Sequence, residues 1–490
     1  MSHIHKVVVI GAGISGLACA YRLRELGITP LVLEASGTPG GIISTVRKNG
    51  FVFEGGPQFP RFPEPVWQLV RSLGLESEFI AGDAKAKRYI LRDGRLHLAP
   101  FSAGGLLSSG LVGLKSKSRI LGEAFRTSRP PDREETLAEF VQRKFGSEIL
   151  DYLVDPIIST VFFGDANDMG MQSAFPSLVE WERTSGSLVR GAIRTLKAKR
   201  RDLSAASSKK QPSANSARIT VTEALPALGT FRSGMATLPE KLAEVLQENI
   251  VYNTKIESVT CKRGGNAASQ PGWNIRVSAG EEINAEGLVI ATPAFATARL
   301  LAGYFPKLAS LLGEITHAAL GVVSCTYQRN QVRNRLDGFG FMIPRREGLN
   351  TICTFWNSSL FPMHAPARMI LLTSFVREKG QPAILNLSDD ALSQIVHSEN
   401  ARILGISGDP ADRRIWRYPQ ALPQYTAGHT HRIAQIRDLL PQAPGLSLAG
   451  NFLNGRSIGD CTTTGFRAAE DVHRYLQVPL SRFATLQGDR

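Results

Sequence analysis

Val7-Val-Val-Ile-Gly11-Ala-Gly13-Ile-Ser-Gly16-Leu17 opens the ordered pattern of the chain, and its reading decides the fold. Four consecutive β-branched residues predict a short buried strand, and the glycines that follow stand where a strand turns sharply into a helix. Gly11 permits the tight turn, Gly13 lets backbone approach a diphosphate, and Gly16 lets the helix pack closely. Leu17 to Leu26 carries apolar residues at three- and four-residue spacing and predicts that helix, with Gly27 closing it as a C′ residue. Thr29 to Leu33 predicts a second strand ending at Glu34, so the first 34 residues form a βαβ unit. Glu34 stands where a carboxylate accepts hydrogen bonds from a ribose and disfavours a 2′-phosphate, while the diphosphate meets the helix N-terminus. The unit predicts a bound dinucleotide.

The rest of the composition sets bounds. A chain of 490 residues exceeds what one core fills, so two or three lobes are expected. With 43% hydrophobic and 20% charged residues it should fold over most of its length. The net charge of +14 predicts an anionic partner, whether nucleic acid, acidic phospholipid or a carboxylate-bearing substrate. Cys19, Cys261, Cys325, Cys353 and Cys461 are scattered without metal-ligand spacing and read as reduced, buried thiols in a cytosolic protein. The apolar run at Val7–Ile10 is too short for an export signal, and no stretch is long and apolar enough to predict a spanning helix.

Further along, Arg88–Arg92 and Arg95–Leu98 flank Asp93-Gly94 and predict a hairpin. Residues 101–200 read as a helical lobe, with an amphipathic period over Leu137–Leu153. Residues 197–218 mix charge with small polar residues and read as a flexible solvated loop; without aromatic residues among the basic ones, no nucleic-acid tail is expected. Leu238–Leu246 predicts a helix, and strands are expected at Ile250–Val259, Trp273–Val277, Leu288–Ile290, Val322–Tyr327, Met369–Phe375 and Ser447–Ala449, before a closing helix at Gly465–Leu476.

Pro39-Gly40-Gly41, Phe53-Glu-Gly-Gly-Pro57 and the Glu34-Ala35 pair, together with the opening glycines, resemble the FAD-binding amine-oxidase and protoporphyrinogen-oxidase superfamily. Thr38 stands where that superfamily usually carries an arginine, which puts one diphosphate contact in doubt. Leu448-Ala-Gly-Asn-Phe-Leu-Asn-Gly-Arg-Ser-Ile-Gly-Asp460 is similar to its second FAD signature. Arg232–Pro239 resembles its glycine-methionine segment, Val289–Pro293 its strand-and-proline element, and Asn253–Val259 the strand whose Ile256 backbone holds adenine. Pro423-Gln-Tyr425-Thr-Ala-Gly-His429 looks like the PQYxxGH string of the protoporphyrinogen oxidases; its tyrosine and histidine read equally as core residues, and His429 is not assigned as a base.

The resemblance implies an α/β fold: a Rossmann-like FAD-binding domain at 1–85, 225–295 and 425–490, a mixed-sheet substrate domain at 86–100 and 296–424, and the inserted helical lobe at 101–200. It implies non-covalent FAD held by Gly11, Ala12, Gly13, Ile14, Ser15, Gly16, Glu34, Ala35, Gly40, Gly41, Ile42, Gly56, Pro57, Gln58, Ile256, Gly450, Asn451, Ser457 and Ile458. The implied activity is oxygen-dependent oxidation of protoporphyrinogen IX to protoporphyrin IX, releasing hydrogen peroxide, in haem biosynthesis. Coproporphyrinogen III oxidation by the same chemistry stays open, while the PQYxxGH string and Arg88 argue against an amine oxidase. Arg88 aligns with a propionate-holding arginine, Met342 and Trp356 with the region that sandwiches the macrocycle, and Thr160 with a pocket position often occupied by glycine. No catalytic side chain and no metal are expected. Porphyrinogen and dioxygen are the implied partners, and a homodimer stays open. The expected location is cytoplasmic, with peripheral contact at the anionic inner face of the cell membrane through Leu106, Leu107, Leu111, Val112 and Leu114 beside Lys115, Lys117, Arg119 and Arg126.

Overall fold

The computed structural model describes residues 4–100, 103–207, 228–262, 272–278, 280–377 and 383–477, and two seven-stranded sheets organise them. In the first, the strands run Ile256–Lys262, Gly272–Val277, Glu282–Ile290, Ile4–Ile10, Leu31–Leu33, Ile250–Val251, with Leu446–Leu448 pairing in parallel along Leu288–Ile290. Val7 and Val9 join one core, against the helices Ile14–Glu25 and Ile458–Leu476, while Val8 and Ile10 join the opposite one, against Ala294–Leu301 and Pro306–Gly313. Burial on both faces is why this strand shows no polar alternation. The two helices on the first face approach as only glycine allows, since a Cβ on Gly465 would lie 2.3 Å from the Ser15 carbonyl oxygen.

The second sheet runs Asp412–Pro423, His317–Gln328, Met369–Arg377, Thr351–Trp356, Gly338–Met342, Lys87–Arg92, Arg95–Leu98. Asp93 and Gly94 both take positive φ, 51° and 72°, as a type I′ hairpin turn requires. One face packs Tyr327, Trp356 and Leu372 under the helix Asp389–Leu404. The other presents Val322, Cys353 and Phe375, with Phe163 of the helical lobe against them.

That lobe contains Leu114–Gly122, Leu137–Lys144, Asp155–Val161, Pro176–Ser185 and Leu188–Ser207. A capping box between Thr136 and Glu139 starts the second of these. Beneath them Lys144, Glu123, Glu182 and Arg143 form a largely buried charge cluster.

Several expectations are revised. The amphipathic run from Leu137 breaks at Gly146, whose φ is 93°, and resumes as a short helix and a π-helical turn at Leu150–Val154. Helix extends to Ser207, into the segment read as a flexible loop; residues 208–218 lie outside the described residues. The strand expected over Ile250–Val259 divides around Asn253, which adopts φ 53°, and its halves Ile250–Val251 and Ile256–Lys262 form opposite edges of the sheet. The closing helix starts at Ile458, because Ser457 and Asp460 form a capping box ahead of its glycines and threonines. Ala294–Leu301 and Pro306–Gly313 pack in the first sheet's core.

Candidate cofactor and substrate site

A cavity of about 800 Å³ runs along the carboxyl ends of the first sheet's strands. Gly11, Gly13, Ile14, Ser15, Glu34, Ala35, Gly40, Gly41, Ile42, Pro57, Ile256, Gly450, Asn451 and Ile458 all line it, so both glycine signatures meet on one space. The Gly11 N–H donates to the Leu33 carbonyl at 2.8 Å and the Gly40 N–H to that of Ala12 at 2.8 Å, which locks the two glycine loops together. Ala12 is behind the wall and donates its N–H to Glu34 Oε2 at 2.7 Å, and Ser36 donates its N–H and Oγ to Oε1, each at 2.8 Å. Glu34 is thereby oriented while its carboxylate keeps lone pairs for ribose hydroxyls.

Gly16, Gly56, Gln58 and Ser457 likewise shape the cavity from behind its lining. A Cβ on Gly16 or Gly56 would fall 1.9 Å from the Gly11 carbonyl oxygen or 2.0 Å from that of Ile42. Gln58 donates to the Glu54 and Gly56 carbonyls and accepts from Asn357 at 2.7 Å, tying this loop to the second sheet. Ser457 caps the helix whose first residue, Ile458, faces the space.

The arrangement fits FAD. Gly13 heads the helix Ile14–Glu25 without any side-chain cap, leaving its first-turn N–H groups for a diphosphate. A Cβ built on Gly13 meets nothing within 4 Å, so the room at the helix N-terminus is open space rather than packed protein. Cys461 also lines the cavity, but burial pushes its thiol up to about 12, so it stays protonated and is a poor candidate for covalent attachment.

The PQYxxGH string has a structural role here. Tyr425 Oη donates to the Asn451 carbonyl at 2.8 Å, and His429 Nε2 lies 3.0 Å from the Phe452 carbonyl, with the two rings stacked at 4.2 Å. Two successive carbonyls of the second signature are fixed by these two side chains. Burial lowers the His429 pKa to about 4, so the ring is neutral at physiological pH.

The nominated substrate residues divide between two environments. Arg88 stacks its guanidinium 3.9 Å from the Phe339 ring centre; Phe339 meets Phe59 edge-on at 5.1 Å, and Phe59 meets Phe355 at 4.9 Å. Phe59 follows the cavity-lining Pro57 by two residues in the chain. Burial, then the charge of Arg61, lowers the Arg88 pKa. Met342 packs between the lobe and the face that carries Cys353, and Thr160 stands against Cys353 on that same face. Trp356 is fully buried in the opposite face's core beside Tyr89, and strand alternation puts its neighbour Phe355 on the face that carries Cys353.

Sequence reasoning missed Gln420, Ala421 and Arg456, which also line the cavity. The first two come from the second sheet and carry no motif. Arg456 lies inside the second signature, where the glycines draw the reading.

Residues 14–473 match the flavin-containing amine oxidoreductase family. Protoporphyrinogen oxidase 2 of Arabidopsis thaliana is 31% identical, covering 96% of this chain and 94% of that protein. Coproporphyrinogen III oxidase of Bacillus subtilis is 27% identical, covering 96% and 98%. A solved structure from Exiguobacterium sp. 255-15 superposes with a TM-score of 0.77 at 23% identity, covering 97% of this chain and 100% of that one, a likeness of fold. The two glycine signatures, the cavity they share and the near full-length matches converge: the chain belongs to the flavin-containing amine oxidoreductase family, in the branch that holds the porphyrinogen oxidases.

Proposed function

We propose that this protein oxidises protoporphyrinogen IX to protoporphyrin IX in haem biosynthesis, using FAD and dioxygen and releasing hydrogen peroxide. The observation that carries the reading is the cavity shared by both glycine signatures together with the aromatic cluster of Phe59, Phe339 and Phe355 on which the Arg88 guanidinium lies, Phe59 standing two residues beyond the cavity-lining Pro57. An apolar macrocycle with carboxylate arms needs apolar, aromatic surroundings and a cation, whereas a protonated amine is repelled by the same cation. FAD held in this cavity would supply acceptance of two hydrogens per cycle and their return to dioxygen, so removal of six hydrogens would consume three dioxygen molecules and yield three of hydrogen peroxide. The chain's own residues supply position, exclusion of water and charge at the carboxylates. Anaerobic addition of protoporphyrinogen IX should bleach the FAD absorbance, and air should restore it with peroxide formation. The same measurement with coproporphyrinogen III ranks the two porphyrinogens; bleaching by benzylamine but by neither porphyrinogen would overturn the reading.

Arg88→Ala should raise KM for the porphyrinogen by about 10- to 100-fold, the worth of one charge-assisted hydrogen bond, with a smaller fall in kcat. A propionate clamp far from the reacting carbon holds ground and transition states alike. Steady-state kinetics check this, and an unchanged KM removes Arg88 from the site.

Peripheral contact with an anionic membrane is supported by the lobe's surface, with a revised set of residues. Leu111 and Val112 are 0% and 3% exposed and pack in the lobe's own core, so they drop out. Leu114 at 83%, Leu121 at 54% and Phe125 at 88% project instead, beside the exposed Lys115 and Arg126. Leu114 and Leu121 share one face of the helix Leu114–Gly122, as their seven-residue spacing requires. No helix among the described residues is long and apolar enough to cross a membrane. Wild type should float with phosphatidylserine-containing liposomes at low salt, and a variant with Leu114, Leu121 and Phe125 changed to Ser should keep its activity and stay at the bottom. Failure of wild type to float would end this part of the proposal.

A further inference from the structure

Arg456 is a half-buried cation that forms no ion pair among the described residues. Its Nη1 donates to the Phe162 carbonyl at 3.0 Å and to the Pro423 carbonyl at 3.3 Å. The guanidinium lies 4.2 Å from the Phe162 ring centre and 4.9 Å from that of Tyr425. Nη2 is shut off from solvent and has no hydrogen-bond partner. Among the described residues no carboxylate forms an ion pair with it; Asp460, the acid whose charge acts on it, is itself bonded by the Ser457 N–H and Oγ. Burial lowers the Arg456 pKa to about 10, which still leaves the group charged at neutral pH. Carbonyl dipoles and ring faces offset only part of the desolvation of a guanidinium. A fold tolerates such a charge when a ligand completes it.

The position of Arg456 says which part of the ligand does so. At the other signature, the diphosphate has the uncapped helix N-terminus at Gly13 and the ribose has Glu34. Arg456 lines the cavity with Gly450 and Asn451 of the second signature and with Gln420 and Ala421 of the second sheet, away from the Gly13 helix N-terminus and Glu34 of the other signature. That is the flavin ring's end. The ring is neutral when oxidised and accumulates negative charge on its pyrimidine side when reduced, so a fixed cation there favours the reduced form.

We propose that Arg456 is a charge-tuning residue that raises the reduction potential of the bound FAD by supplying the positive charge its reduced pyrimidine edge requires. The inference goes beyond the choice of substrate and holds for any substrate of the cavity. Close to Arg456, burial keeps the Tyr425 hydroxyl and the Cys461 thiol protonated, and it keeps His429 neutral down to about pH 4. Asp460 is held by the capping box.

The test compares FAD-loaded wild type, Arg456→Met and Arg456→Lys, with the midpoint potential of the bound cofactor measured against a reference dye. Arg456→Met should make two-electron reduction about tenfold less favourable, a potential lower by about 30 mV, and Arg456→Lys should remain near wild type. KM for the porphyrinogen should not move. An unchanged potential in Arg456→Met overturns the proposal; an unchanged potential with a raised KM assigns the charge to a substrate carboxylate instead. Should Arg456→Met fail to retain FAD, wild type alone decides. Its reduced FAD should keep the anionic absorption spectrum at a pH where free reduced FAD has taken up its proton, and protonation at the pH of the free cofactor overturns the proposal.

Discussion

Gly13→Val should give a folded, colourless protein. Gly13 has φ −68°, a conformation open to any residue, and a Cβ there meets no protein atom within 4 Å. The chain therefore does not need glycine at this position for its own packing; the space belongs to the diphosphate, and two methyl groups placed in it block the approach of the backbone N–H groups. Gly16→Val makes the contrast, because a Cβ there lies 1.9 Å from the Gly11 carbonyl oxygen and the helix must move off the strand. The expected results are separable. Gly13→Val should purify with essentially no absorbance near the flavin bands, with a wild-type circular dichroism spectrum, and with the melting temperature of wild-type apoprotein rather than of the FAD-loaded form. The loaded form gains about 4 kcal/mol when free FAD stands at a thousand times its Kd, so the comparison with apoprotein is the fair one. Gly16→Val should be recovered poorly or unfolded. Full FAD occupancy in Gly13→Val would show that the diphosphate lies elsewhere.

The contrast between these glycines also marks how far the sequence could be read. Both belong to one motif, and the motif supplied the strand, the helix, the dinucleotide and Glu34 without coordinates, because each glycine answers a local backbone demand that repeats wherever this ligand is bound. Which glycine touches ligand and which only packs was not legible, since that depends on Gly11 curling over Gly16 in three dimensions. Trp356 shows a second limit. No strand was read at Thr351–Trp356, and the alternation of that strand puts Trp356 in the core under the helix Asp389–Leu404 while Phe355 joins the other face. Leu111 and Val112 show a third, because in a stretch interrupted by glycine and serine no periodicity separates the core side of the lobe from the exposed one. Arg456 shows a fourth: its lack of an ion pair among the described residues is a property of the neighbourhood assembled from Phe162, Pro423 and Tyr425, and no local pattern announces it.

Lys144→Met should destabilise the helical lobe by about 3–5 kcal/mol, the penalty for removing one member of a buried charge cluster. Lys144 is 6% exposed at its side chain, and its Nζ lies 2.9 Å from Glu182, 3.4 Å from Glu123 and 2.5 Å from Ser128 Oγ. Glu123 accepts from the Leu188 and Val189 N–H groups at 2.7 and 3.1 Å, so it caps the helix Leu188–Ser207 while leaning on Lys144 for its charge balance. Glu182 is completely buried and also accepts from Arg143 at 2.8 Å and from Ser128 at 2.5 Å. Without Lys144, Arg143 alone faces Glu182, and it is already engaged by Glu135. The methionine fills the volume, which isolates the electrostatic loss from a cavity. Because the chain has more than one lobe, the effect should be read locally, as faster hydrogen exchange and proteolysis within residues 103–207 at an unchanged FAD content. Acid supplies an internal check. Burial acts to raise the Glu182 carboxyl, but the bonds from Arg143, Ser128 and Lys144 outweigh it and lower its pKa from 4.5 to about 2. A depressed carboxylate stabilises the fold above its unfolded pKa and loses that contribution as pH falls through the folded value. Wild type should therefore lose lobe stability between pH 4.5 and about 2. In Lys144→Met the carboxylate has lost a partner and protonates earlier, so the gap between the two proteins should narrow on acidification, and a second change, Glu182→Gln, should restore part of the lost protection at neutral pH. A loss below about 1 kcal/mol at neutral pH, the scale of an exposed ion pair, would mean that water reaches the cluster.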